Sequence, residues 1–272
     1  MERDSVPAGG PPSEKDSHKT WADGTDSGAL GVLPDREDDN YYPRGKMKCV
    51  IFNLRQNDNT EEVEKLKTMF QSLSNVAVEA HVVKEADEVI DKLQELAKEE
   101  NLADIYTFLC WIISADCDKH TLKAAGKVLE FDSIYQPFAS DQCKGLYGKP
   151  KIFFFQVPEK KPAEVCKTDG DVDTASLTEI QAKIPKMTDF YYAFSSAPGY
   201  FGSGCDDQFV RIVTEMFDEK VPEEPETIDL SAVMIYVLRK AEELGQGKER
   251  PCVMSSLTGH VALSKVRSTA SA

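Results

Sequence analysis

Three runs of the chain, Met47 to Leu54, Asp104 to Ser114 and Ile152 to Phe155, are dominated by consecutive apolar residues. Short unbroken runs of this kind predict strands buried on both faces, as in a parallel sheet. Between the first two the period changes. Thr60 precedes Glu61 and Glu62, a good N-cap followed by acidic first-turn residues. Val63, Leu66, Met69, Phe70 and Leu73 then recur at helical spacing. Val76 to Val83 alternates like a strand, and a second helix over 86–100 carries Val89, Ile90, Leu93, Leu96 and Ala97. A short helix is expected from Ser133 through Phe138. A strand follows over 188–200, helices over 206–217 and 228–244, and a last strand over 251–258. Strands alternating with helices predict an α/β fold.

The strand at Ile152–Phe155 ends at Gln156, and the chain then turns polar. In open α/β sheets, sites lie in the crevice beyond the carboxyl ends of strands. Chemistry is therefore expected at Gln156 to Lys160.

Composition narrows the class. The chain has 272 residues and is 41% hydrophobic, enough for one sizeable α/β core with a flexible end. Its net charge of −15, from 47 acidic against 32 basic residues, argues against nucleic acid and anionic membranes as partners. The seven cysteines have no C-x-x-C spacing and the start has no apolar signal core, so reduced thiols and a cytoplasmic location are expected. The four histidines and the cysteines show no metal-ligand spacing, so neither metal nor cofactor is expected. Residues 1–40 are rich in Gly, Pro, Ser, Asp and Lys and read as a disordered arm. Residues 159–186 are polar again.

Several stretches together resemble the caspase family. Cys143-Lys144-Gly145-Leu146-Tyr147-Gly148-Lys149-Pro150-Lys151 is similar to that family's Cys-x-x-Leu-x-Gly-Lys-Pro-Lys. Asp189-Phe190-Tyr191-Tyr192-Ala193-Phe194-Ser195-Ser196-Ala197-Pro198-Gly199-Tyr200 resembles its small-subunit strand, and Pro251 to Thr258 its final Pro-x-x-x-Ser-x-Leu-Thr strand. The Arg44-Gly45 pair before Met47–Asn53 resembles the opening strand of effector caspases. The likeness spans about 41–266. It implies a three-layer sandwich, a six-stranded, mostly parallel sheet with helices on both faces. It also implies a division into an arm (1–40), a large-subunit-like region (41–158), an inter-subunit linker (159–186) and a small-subunit-like region (187–272).

The same resemblance locates an active site whose residues have changed. The family strand ends in Gln-Ala-Cys-Arg-Gly, with its histidine roughly 50 residues upstream. Here the five residues are Gln156-Val157-Pro158-Glu159-Lys160. Pro158 at the nucleophile position has no thiol to form an acyl-enzyme. It also lacks the backbone N–H that would donate to the oxyanion, typically worth about 3 kcal/mol of barrier. Ala115 stands at the general-base position and cannot move a proton. Asp116 stands at the oxyanion glycine, where a carboxylate opposes developing negative charge. Of the groups that read a substrate Asp, Gln156 remains, with a simpler reading as a strand-end polar residue making local hydrogen bonds. The small-subunit Arg is missing from Phe201 to Asp207, and Arg55 does not sit at the first Arg position.

The resemblance therefore implies a catalytically dead homologue that regulates apoptosis by binding an active caspase as a heterodimer, with self-pairing as the homodimeric form. Val253, Met254 and Leu257 are the dimer-strand candidates, unless the 264–272 tail covers that edge. Asp173 and Asp26 are candidate cleavage sites for a caspase. Two other classes stay open. One is a cysteine endopeptidase with a relocated nucleophile, Cys117 beside His120 on a loop or Cys205 at a helix start. The other is a binding module for caspase inhibitors or adaptors.

Overall fold

Unbroken burial sets the centre of the sheet. A computed structural model describes residues 40–55, 60–83, 85–98, 100–114, 117–118, 121–124, 127–157, 187–196, 208–245 and 251–267. Among these, β1 (Lys46–Asn53) is buried at every position after its first, and β7 (Lys151–Gln156) and β8 (Phe190–Phe194) are buried throughout. β2 (Val76–Val82) and β3 (Ile105–Ile113) flank β1. With β10 (Cys252–Ser255) they form a six-stranded sheet in the order β10-β8-β7-β3-β1-β2. All neighbours run parallel except β10, which is antiparallel to β8. The expected mostly parallel six-stranded sheet is present, with two edges, β2 and β10.

Strand alternation divides the core into two layers. Phe153 and Phe155 point to one face with Phe52, Phe108 and Tyr192. Phe154 points to the other with Ile51, Trp111 and Tyr191. Phe154 stacks on Trp111 with centroids 4.6 Å apart, and Phe155 on Phe194 at 4.8 Å. The helices α1 (Thr60–Ser72), α4 (Gln208–Lys220) and α5 (Leu230–Gly245) cover the Phe154 face. α2 (Ala86–Lys98) and the one-turn α3 (Phe131–Tyr135) cover the other. The apolar positions of α1 named from its spacing are the ones buried: Val63, Leu66, Met69, Phe70, and Leu73 just beyond its end.

Four local expectations need correction. Helix 86–100 ends at Lys98, and a 3-10 turn, Glu100–Asp104, leads into β3. The short helix begins at Phe131, not Ser133, and continues as a 3-10 turn, Gln136–Phe138. α5 begins at Leu230 because Ile228–Asp229 form β9, paired with β11 (Ala262–Leu263). The segment after β3, read as a loop, holds a small antiparallel sheet of β4 (Cys117–Asp118), β5 (Thr121–Ala124) and β6 (Lys127–Glu130).

The amino ends of the strands are tied together by polar contacts. The Lys151 side chain is fully buried. Its ammonium donates to the carbonyls of Lys149 (2.9 Å) and Leu146 (3.3 Å) and lies 4.9 Å from the Phe190 ring centroid. Burial pulls its pKa down to about 8 from the ordinary 10.5. Gly45 runs so close under Tyr106 that a Cβ there would lie 2.1 Å from the ring. This close approach accounts for the glycine of the Arg44-Gly45 pair. Gly148 takes φ +67° in the turn before β7, where a side chain would be strained.

Candidate functional site

The carboxyl ends of β1, β3, β7 and β8 form the rim where the sequence places the chemistry. Hydrogen bonding continues past the strand ends: Leu54 N–H donates to Ile113 O at 2.8 Å, Ser114 N–H to Gln156 O at 2.9 Å, and Ser195 N–H to Phe155 O at 2.9 Å. Ser114 Oγ also donates to Lys123 O at 3.4 Å, joining the end of β3 to β5. Gln156 is fully buried at the end of β7. Val157, the last described residue before Pro158, is held from both sides by one hydroxyl. Ser195 Oγ accepts from Val157 N–H at 2.8 Å and donates to Val157 O at 2.7 Å. The position at which the chain leaves the sheet toward residue 158 is therefore set by β8.

Arg55, two residues beyond β1, is turned inward. Its Nη1 donates to Glu62 Oε2 on α1 at 2.7 Å, and the two side chains are 3% and 6% exposed. Asn53 Oδ1 accepts from Arg55 N–H at 3.0 Å and fixes the bend that aims the side chain at α1. A guanidinium committed to a buried carboxylate does not project into the crevice to read a substrate carboxylate. Sequence reasoning missed this partner and the clamp by Ser195. Glu62 read as an ordinary first-turn acid, and the serine after an apolar strand carried no signal.

Pro158, Ala115, Asp116, Asp173 and Asp26 lie outside the described residues, as do His120, Cys205, Asp206 and Asp207. Cys117 corrects the expectation of a loop cysteine. It lies in β4, opposite Leu122, is 5% exposed and belongs to the core on the α2 side. The other described cysteines are also withdrawn from reactivity. Burial drives the Cys49 and Cys110 thiols well above their usual range and pushes Cys252 up to about 12. Among the described residues no cluster of three or more His, Cys, Asp or Glu side chains is placed to hold a metal ion. No helix there is long and apolar enough to cross a membrane.

The second candidate surface is β10. It hydrogen-bonds β8 on one side, from Cys252↔Phe194 to Ser255↔Tyr191, and its other side is a sheet edge. Cys252, Val253 and Met254 are half-buried and Ser255 is exposed. Met254 packs against the α2–α3 layer, and Val253 and Leu257 against the opposite layer. The strand is shorter than the expected 251–258, so Leu257 lies past its end. The tail does not cover this edge within the described residues. From β11 it runs to the turn between α1 and β2, where Ser74 N–H donates to Ser264 O and Val266 N–H to Ser72 O.

Comparison with known proteins places this architecture. The sequence profile of the caspase domain (Peptidase C14) matches residues 46–262. The chain is 27% identical over 233 residues to caspase-3 of Xenopus laevis, covering 80% of this chain and 79% of that protein. It is 27% identical over 246 residues to caspase-7 of Gallus gallus, covering 80% and 77%. With caspase-3 of Bos taurus the identity is 24% over 241 residues, covering 80% and 84%. The profile match runs from β1 to β11 and takes in the whole six-stranded sheet; this chain belongs to the caspase family.

Proposed function

We propose that this chain is a catalytically inactive caspase homologue that regulates a catalytically competent caspase by binding it. The observation that carries the proposal is Pro158 at the position following Val157 at the end of β7, where the family nucleophile stands. Proline supplies neither a thiolate nor an oxyanion-hole N–H. Ala115 supplies no base, the Asp116 carboxylate opposes a developing oxyanion, and Arg55 is engaged by Glu62. What remains is the scaffold and β10, which is a sheet edge among the described residues. An edge strand presents backbone donors and acceptors to a partner, and pairing across an approximate two-fold axis is the arrangement that closes on itself.

The experiment is co-expression with an active effector caspase, reading complex formation and the partner's turnover of an Asp-containing peptide. A stoichiometric complex is expected, and Met254→Asp, which sets a charge in the pairing region, should abolish it. Because Met254 also contacts the core, circular dichroism must show that the variant is folded. A folded variant that still binds moves the interaction off β10 and favours recognition of adaptors or inhibitors instead.

A further inference from the structure

Three segments meet at one polar knot beneath β8 and β10. Tyr42 Oη donates to Asp189 Oδ1 at 2.6 Å and accepts from Thr258 N–H at 2.8 Å. Thr258 Oγ1 donates to the same carboxylate oxygen at 2.7 Å and lies 3.1 Å from Tyr42 Oη. The backbone alongside is laced as well: Tyr42 N–H donates to His260 O and His260 N–H to Asn40 O. Gly259 makes that approach possible, since a Cβ there would lie 2.9 Å from Asn40 O. Asp189 is the hinge of the knot. It holds φ +65°, a left-handed conformation that aspartate adopts at some cost. Its carbonyl accepts from Lys151 N–H and its own N–H donates to Ser256 O. The knot thus sets the lower ends of both the β7–β8 and the β8–β10 pairings.

Tyr42 is half-buried and lies in a stretch, 42–45, with neither helix nor strand. Glu37, Asp38 and Asp39 precede it closely in the chain. An acidic run ahead of a tyrosine in irregular backbone complements a basic substrate groove. We propose that Tyr42 is a phosphoacceptor, and that its phosphorylation by an ATP-dependent tyrosine kinase opens the Tyr42–Asp189–Thr258 knot and loosens β10. In the transfer, Tyr42 Oη forms a bond to the γ-phosphorus while the bond to the β,γ-bridging oxygen breaks. ADP leaves, and the phenolic proton passes to the kinase's base and then to water. The modified side chain carries a charge of roughly −1.5 to −2 and can no longer donate from its oxygen, so it faces the Asp189 carboxylate as a like charge. The consequence for partner binding rests on β10 being the contact. The opening of the knot does not, so it is read on the chain alone.

The test treats the full chain, and separately a synthetic peptide of residues 33–46, with a purified tyrosine kinase and magnesium ATP, maps the product by mass spectrometry, and follows amide hydrogen exchange over 187–192 and 252–260. Modification of Tyr42 in both is expected, with exchange in those segments of the chain faster by about tenfold or more. Asp189→Asn keeps a residue suited to the left-handed conformation and removes the like charge. It should reduce that acceleration while leaving modification intact, an effect that mere loss of a structural hydrogen bond would not show. A peptide that is not modified at Tyr42, a peptide modified while the folded chain is not, or a modified chain with unchanged exchange overturns the proposal. Modified chain that exchanges faster yet still pairs with an active caspase would leave the switch standing and refute β10 as the contact.

Discussion

Arg55 and Glu62 offer a direct test of whether the arginine at the end of β1 is held by the scaffold and kept out of the crevice. At 2.7 Å and with an effective dielectric constant of about 20, the Coulomb attraction of the pair is on the order of 6 kcal/mol. Desolvation of both groups offsets much of that, so the pair itself adds little relative to apolar residues of similar size. Removing one partner is different, because the other charge is left buried. Glu62→Leu should therefore cost about 3–5 kcal/mol, while Arg55→Met combined with Glu62→Leu should fall close to wild type. In a chain of this size each kcal/mol is worth about 2–4 °C, so the single variant should melt roughly 6–20 °C lower. Urea unfolding of the wild type, both single variants and the double variant closes the cycle and isolates the coupling. A cost under about 1 kcal/mol for Glu62→Leu is the range of a solvated ion pair. That result would mean that Arg55 is free to swing into the crevice, and the argument from its burial would fail.

Other outcomes follow from the foot of the sheet and from the polar stretch 159–186. The folded-state pKa of Lys151, about 8 against 10.5, means that the unfolded chain holds the extra proton between those values, so this group's contribution to stability rises with pH across that window. Below pH 8 its buried cation costs the fold on the order of 3 kcal/mol, and Lys151→Met should remove that pH dependence, seen as a stability difference from wild type that changes between pH 7 and pH 10; a constant difference would refute the assignment. Gly45→Ala should cost about 1–3 kcal/mol through its clash with Tyr106, and Tyr106→Ser should recover most of it in the same unfolding assay. An active effector caspase should cut the chain after Asp173, Asp173→Ala should block the cut, and the halves should stay together on gel filtration because the β7–β8 ladder spans them; an intact chain would make the uncut form the working one.

The sheet was legible because its strands announce themselves locally. The aromatic run at Phe153–Phe155 has no polar face, so only a doubly covered strand accommodates it. α1 was legible from one apolar stripe, Val63, Leu66, Met69, Phe70 and Leu73. What escaped depends on partners distant in sequence. β9 and β11 are two residues each, and Ile228 continues the helical period of α5, so nothing local separates them. β4, β5 and β6 are too short for alternation to stand out, and Cys117 read as a loop residue until Leu122 was placed opposite it. The reading of the candidate site rests on Pro158, Ala115 and Asp116, which lie outside the described residues, so it enters as a proposal. The fates of Arg55, Lys151 and Asp189 were not legible, since a charged residue's burial is decided by the carboxylate, carbonyl or hydroxyl that folding brings to it.

The most direct measurement of the central claim is turnover. Purified full chain, its Pro158→Cys variant, and each mixed with an active effector caspase are assayed on a fluorogenic Asp-containing peptide, with sedimentation of the mixtures read in parallel. No hydrolysis above buffer is expected from the chain or from Pro158→Cys, since Ala115 still supplies no base and the Asp116 carboxylate still opposes a developing oxyanion. A shift of the active caspase into a complex with changed turnover is also expected. Hydrolysis by the chain alone that is abolished by thiol alkylation would contradict the central claim, and so would an active caspase whose sedimentation and rate are both unaffected.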